Sequence, residues 1–190
     1  MSQDLPTTSY ALLGLLTFGD ELTGYELKQR ADNTLRFYWV APAMSQVYTE
    51  VSRLAELGLV DVRDDRSGWR TTRRYRINKT GLKELREWLR TTEPEFPVLK
   101  HPIALRLLLG HLMEPEDVRA MLEEYVDRLD RQRSELTEVL DSIDGREGFE
   151  FPATVARWGL AYYAGEADTV SGIADELAAR QDSSGPHQTS

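Results

Sequence analysis

Residues 66–79 read Arg-Ser-Gly-Trp-Arg-Thr-Thr-Arg-Arg-Tyr-Arg-Ile-Asn-Lys, with six basic side chains and no acidic one. The chain around them has a formal net charge of −9. A stretch that stays positive against that background is suited to a polyanion. Tyr75-Arg76-Ile77 within it, and Leu59-Val60-Asp61-Val62 before it, read as two short strands. The turn between them is polar and holds Gly68.

Three helical patterns precede this hairpin. Ser9 to Thr17 is apolar at most positions, with Leu12, Leu13, Leu15 and Leu16 suited to a core and Gly19 closing the helix. Thr23 and Glu26 form a capping box for a second helix from Gly24 to about Asn33, with Tyr25, Leu27 and Ala31 inward. Pro42 fits the first position of a third helix. There Met44, Val47, Val51 and Leu54 predict a core-facing stripe, opposite Ser45, Gln46, Tyr48, Thr49, Ser52 and Arg53. Gly58 stops that helix, and after the hairpin Gly81 to Arg90 reads as a fourth, with Leu82, Leu85 and Leu89 inward. The fold expected is mainly α, beginning with a winged helix-turn-helix whose wing is a small β-hairpin.

That order has a mechanical use, because a helix fits the major groove while a hairpin follows the adjacent backbone. Ser45, Gln46 and Thr49 are short hydrogen-bonding side chains that reach base edges or phosphate near the helix start. Tyr48 offers a hydroxyl and Arg53 a charge, and Arg66, Arg70, Arg73, Arg74 and Arg76 are expected as phosphate clamps. The plainer alternative is a solvated helix face and an edge hairpin protected by charge.

Charge divides the chain. Residues 1–90 hold 14 Lys and Arg against 12 Asp and Glu, whereas residues 91–190 hold 9 against 20. Phosphate repels the second half, so contact with DNA falls to the first. Thr91 to Pro97 reads as a linker, which predicts a DNA-binding domain over 1–92, a helical domain over 93–180 and a disordered tail over 181–190. His101 to Met113 is a short apolar helix, and Glu114-Pro115 opens a long one to about Asp144. Along it Val118, Leu122, Tyr125, Leu129, Gln132, Leu136, Val139 and Ile143 repeat every 3.5 residues, as in a coiled coil. That stripe is expected to make a homodimer; it can equally pack on the last helix, Pro152 to Arg180, of its own chain, and a four-helix arrangement of two chains uses both. Gln132 is its one polar member and is suited to fixing register.

Four blocks carry a resemblance: Leu13-Gly14-Leu15-Leu16; Thr23-Gly24-Tyr25-Glu26-Leu27; Val47-Tyr48 with Leu54-Ala-Glu-Leu-Gly-Leu-Val60; and Arg74-Tyr75-Arg76-Ile77-Asn78-Lys79-Thr80-Gly81. In order and interval they resemble the PadR family of transcriptional regulators over residues 9–90, and the helical remainder looks like its longer subfamily. The resemblance implies a homodimer, usually a repressor, that reads a palindromic double-stranded operator through its third helix and wing; composition, with no cysteine and no signal-peptide pattern at Met1-Ser-Gln-Asp-Leu-Pro, makes a cytoplasmic protein the simplest expectation. One departure is Thr49, where the family usually has Pro. Some relatives bind flat aromatic compounds, so Trp88, Phe96, Trp158 and Tyr162, with Tyr163, are candidate effector contacts; ordinary core packing is the alternative. Sequestering a ligand, or binding an acidic protein surface through the basic hairpin, are rival functions.

Other classes find little support. The chain has no cysteine, and His101, His111 and His187 lack metal-ligand spacing, so no metal or cofactor is expected. GxSxG, Walker, HExxH and GxGxxG motifs are absent, and Asp64-Asp65 and Asp127/Asp130 read as solvated charge rather than catalytic pairs. No apolar run reaches the roughly 20 residues that span a bilayer.

Overall fold

The computed structural model describes residues 5–19, 21–67, 70–97 and 100–183, and the side chains of 66–71 and 181–183 lie outside that description. The chain divides into two compact units between Phe96 and Pro97.

The first unit runs α1 (Thr7–Leu15), β1 (Leu22–Thr23), α2 (Gly24–Thr34), α3 (Met44–Glu56), β2 (Val60–Ser67), β3 (Arg70–Ile77) and α4 (Lys79–Thr91). Its antiparallel sheet has the order β1-β3-β2. Leu12, Leu13 and Leu16 of α1 and its C-terminal end meet Leu27 and Ala31 of α2 and Val47, Val51 and Leu54 of α3 in one buried cluster. Truncating one such leucine to alanine typically removes about 2–5 kcal/mol. Tyr10 stacks on Trp88 of α4 with ring centroids 4.6 Å apart, which ties the first helix to the last. Arg30 of α2 donates to the Leu15 and Phe18 carbonyls at 3.0 Å and so closes the end of α1.

The capping box is present: the Glu26 N–H donates to Thr23 Oγ1, and the Thr23 N–H to Glu26 Oε2. Several expectations are corrected. Pro42 precedes α3 instead of opening it, because Ala43 is extended and caps the helix. Met44 is half-buried, and Glu50 takes a place in the inward stripe. Tyr25 is exposed, since Gly24, Leu27 and Ala31 make the inward face of α2. Leu89 is 66% exposed, because it follows the half-buried Trp88 and one residue rotates the helix by about 100°. The strands are eight residues each, longer than their short apolar stretches. Among the described side chains of this ribbon only Val60 and Tyr75 are buried, so the core pattern marks only its base.

The second unit holds α5 (Pro102–Leu108), a 3-10 turn (Gly110–Leu112), α6 (Pro115–Ile143) and α7 (Glu150–Ser183). The last helix extends into the predicted tail, of which residues 184–190 lie outside the described residues. α6 and α7 pack antiparallel: Val118 and Leu122 cluster with Val170 near one end, and Leu136 meets Gly159 near the other. α7 presents Ala153, Ala156, Leu160, Tyr163, Ala167, Val170, Ala174 and Leu177 inward, in steps of three and four. Small residues there let the leucines of α6 seat close to the partner backbone. No helix of the described residues is long and apolar enough to cross a membrane.

Candidate nucleic-acid interface

One face of α3 is core and the other is open. Ser45, Gln46, Tyr48, Thr49, Ser52 and Arg53 are all exposed, as their spacing predicts. The Thr49 hydroxyl donates to the Ser45 carbonyl at 3.0 Å, so its oxygen is left to accept. Tyr48 is 47% exposed, and its ring lies on Gly24 at the start of α2. A Cβ at Gly24 would stand 2.5 Å from Tyr48 Cε1, so only glycine leaves the ring this seat. Tyr25, next in sequence, is exposed as well and accepts from Gln29 Nε2 at 3.2 Å. Two exposed tyrosines thus stand at and beside this contact, Tyr48 on α3 and Tyr25 on α2. Sequence reading missed the first of them by taking Tyr25 as apolar; its place in the first turn of the capped helix was the signal available.

Gly24→Ala should displace the Tyr48 ring while leaving the fold intact, because the ring can swing into solvent. Its expected effect is an unchanged melting temperature with DNA affinity about tenfold weaker, the worth of one charge-assisted hydrogen bond. Thermal melts beside gel shifts measure both, and unaltered affinity would contradict the seat.

The hairpin is less basic than its second strand. Register places Asp61 opposite Arg76, Asp64 opposite Arg73 and Asp65 opposite Thr72. Arg73 Nε lies 3.7 Å from Asp64 in an exposed pair, which stabilises little. Arg76 is exposed and has no polar partner among the described residues. Arg74 is different. It donates to Asp65 at 3.1 Å, to Glu26 at 3.3 Å and to the Glu21 carbonyl at 3.2 Å, so the expected phosphate clamp is held within the protein. The Arg66 and Arg70 side chains lie outside the described residues.

Glu26 thus joins the cap of α2 to the wing. The Thr23 backbone N–H holds its carboxyl below the usual carboxylate range; burial opposes this, and the Thr23 hydroxyl, Arg74 and Arg30 add to it. A lowered pKa in the folded state stabilises the fold above the ordinary carboxylate range, and this contribution is lost as pH falls through the folded value.

In the second unit the α6 stripe faces α7 of the same chain. Val118, Leu122, Leu129 and Leu136 are buried, and Tyr125, Gln132, Val139 and Ile143 are half-buried. The apolar surface left open lies elsewhere. Phe151, Trp158 and Tyr162 are exposed along α7, and Leu105, Leu108, Leu109 and Leu112 along α5 and the turn after it. The four candidate effector contacts are split between the two units. Trp88 stacks in the first core, Phe96 is 90% exposed, Trp158 is 74% exposed and Tyr162 packs edge-on against Tyr163. A cavity of about 620 Å³ opens instead among Leu107, Met113, Val118, Leu122, Ala174 and Leu177, with His111 and Arg119 also lining it.

His101 joins the three main helices of this unit. Its Nδ1 accepts from the Ala104 N–H at 3.1 Å and caps α5, so the ring proton sits on Nε2 and is donated to Glu166 at 2.6 Å. The Tyr125 hydroxyl lies 3.4 Å from the same carboxylate oxygen. Burial first, and Glu166 next, push the Tyr125 phenol up to about 12, so it stays a neutral donor. No group of three or more His, Cys, Asp or Glu suited to a metal ion occurs among the described residues.

Comparison with known proteins fits this arrangement. Residues 12–87 match the transcriptional regulator PadR-like family, and residues 99–180 match the virulence activator alpha C-terminal family. No curated protein matches the chain by sequence. Bacillus subtilis PadR in complex with operator DNA superposes with a TM-score of 0.79 at 20% identity, over 90% of this chain and 99% of that one. The same protein in complex with p-coumaric acid gives 0.73 at 19%, over 91% and 99%. The Vibrio cholerae virulence activator AphA gives 0.69 at 19%, over 90% and 98%. With its winged helix-turn-helix followed by long C-terminal helices, the chain carries a domain of the transcriptional regulator PadR-like family and, after it, one of the virulence activator alpha C-terminal family.

Proposed function

We propose that this regulator is a cytoplasmic repressor that binds a palindromic operator as a homodimer. The observation that carries the reading is the division of α3: Val47, Val51 and Leu54 are fully buried while every polar side chain opposite them is exposed. Ser45, Gln46, Thr49 and Arg53 read bases, and Tyr48 and Tyr25 bind phosphate. Arg73 and Arg76, with Arg66 and Arg70, supply the wing's charge. Arg74 holds the wing against the start of α2. Because the α6 stripe is covered within the chain, the dimer forms instead through the exposed apolar faces of α7 and α5, leaving Gln132 to the intrachain seam. An apolar ligand with an anionic group suits the cavity beside Arg119 and His111, which favours a small-molecule effector; its binding there would shift the α5 and α7 faces that the dimer uses.

Selection from a random duplex pool, followed by gel shifts across a salt series, tests the reading. Log K should fall linearly with log salt, by about 0.9 for each phosphate neutralised. Arg76→Ala should weaken binding to all sequences alike and reduce that slope by about one. If Arg73→Ala and Arg76→Ala together leave affinity and slope unchanged, the wing does not bind DNA. Binding to acidic proteins but to no duplex would favour the rival function.

A further inference from the structure

We infer that Glu50 is a positioning residue for Arg53, and through it a determinant of base selection; this rests on the DNA-reading role of α3 proposed above. Glu50 is 6% exposed and sits among Val47, Val51 and Leu54, where an apolar residue would pack without desolvating a charge. Such a carboxylate is tolerated when its oxygens are held. The Ser9 hydroxyl, itself fully buried on α1, donates to Glu50 Oε2. Arg53 Nε lies 3.7 Å from the same oxygen, one turn further along α3 and with 44% of its side chain exposed.

The chemistry of this chain of contacts is directional. Arg53 makes no other polar contact among the described residues, so its two terminal amino groups remain for a ligand. Those groups form the edge that meets guanine O6 and N7, or two phosphate oxygens. A free arginine on a helix surface samples many rotamers, and ordering it on binding reduces affinity. Glu50 limits that freedom beforehand, and because Ser9 anchors the carboxylate to α1, the orientation derives from the core. Burial also separates this acid from the other partners of arginine in the unit. Three of those partners, Asp64, Asp65 and Glu26, are substantially exposed and present their charge to an approaching phosphate, whereas Glu50 orients Arg53 from beneath.

The test is a double-mutant cycle with the duplex that the wild-type protein selects from a random pool. Glu50→Gln keeps an acceptor for Ser9 and nearly the same shape while removing the charge. Against wild-type Arg53 it should lower affinity for the selected duplex about tenfold, near the lower end for one bidentate base contact. In an Arg53→Ala background it should change affinity by less than about twofold, since the coupled group has gone. Affinity for random duplex should hold or rise, because a negative charge has been removed. Equal losses in both backgrounds, or parallel losses on selected and random duplex, would show a merely structural role and overturn the inference. Should Glu50→Gln fail to fold, the Arg53 side-chain N–H signal of the wild-type protein decides. Protection from solvent exchange beyond that of the exposed Arg86 supports the contact, and equal exchange rates refute it. If the wild-type protein enriches no sequence, the DNA-reading role of α3 fails, and this inference fails with it.

Discussion

Gly81→Ala is expected to destabilise the N-terminal unit by about 2 kcal/mol, although alanine in a helix normally gains about 1 kcal/mol over glycine. A Cβ at this position would stand 2.1 Å from the Leu59 carbonyl oxygen, a backbone atom that cannot rotate away. The same carbonyl accepts from the Asn78 N–H, while Asn78 caps α4 and donates to the Gly58 carbonyl at 3.0 Å. The start of α4 is thus clasped to the end of α3, where Gly58 (φ +67°) turns the chain into β2. Pushing α4 outward would also loosen the Tyr10–Trp88 stack. Urea denaturation followed by circular dichroism should show a lowered midpoint for the first unit and an unmoved one for the second. A midpoint that stays or rises would mean that α4 moves without loss.

Trp158→Glu combined with Tyr162→Glu is expected to leave a folded monomer. Both side chains are exposed on α7, so helicity should be retained. Charge placed on the proposed apolar dimer face opposes association. DNA affinity should then fall by at least about a hundredfold, because the second winged helix no longer binds at the high effective concentration that a dimer provides. Sedimentation gives the mass and gel shifts give the affinity. A dimer surviving both substitutions would move the interface elsewhere on the unit. Leu129→Ala is the contrast: it should unfold the α6–α7 pair itself, by about 2–5 kcal/mol.

The parts legible in the sequence were those governed by a single period. The 3.6-residue pattern of α3 gave its open face, and the capping box gave the start of α2. Glu50 escaped because a pattern counted over apolar residues passes over a buried carboxylate. β1 escaped because two residues carry no period. In α7 half of the inward residues are alanine, which carries little periodic signal. Periodicity predicts a stripe on α6 but not which helix covers it, since a seam within a chain and one between chains need the same spacing. Arg74 shows the limit of linear charge counting, for its partners Glu21, Glu26 and Asp65 come from other elements of the unit.

The acids set across the hairpin also bear on how fast the protein can find its site. Charge that is balanced at close range produces little field at a distance, and a chain of net charge −9 approaches DNA against repulsion. Association should therefore run near the rate of unsteered encounter, about 10⁵–10⁶ M⁻¹s⁻¹, and depend only weakly on salt. Salt would then act chiefly on how long the bound complex lasts. A regulator built this way spends little time on random DNA, and its occupancy of the operator is set by residence rather than by arrival.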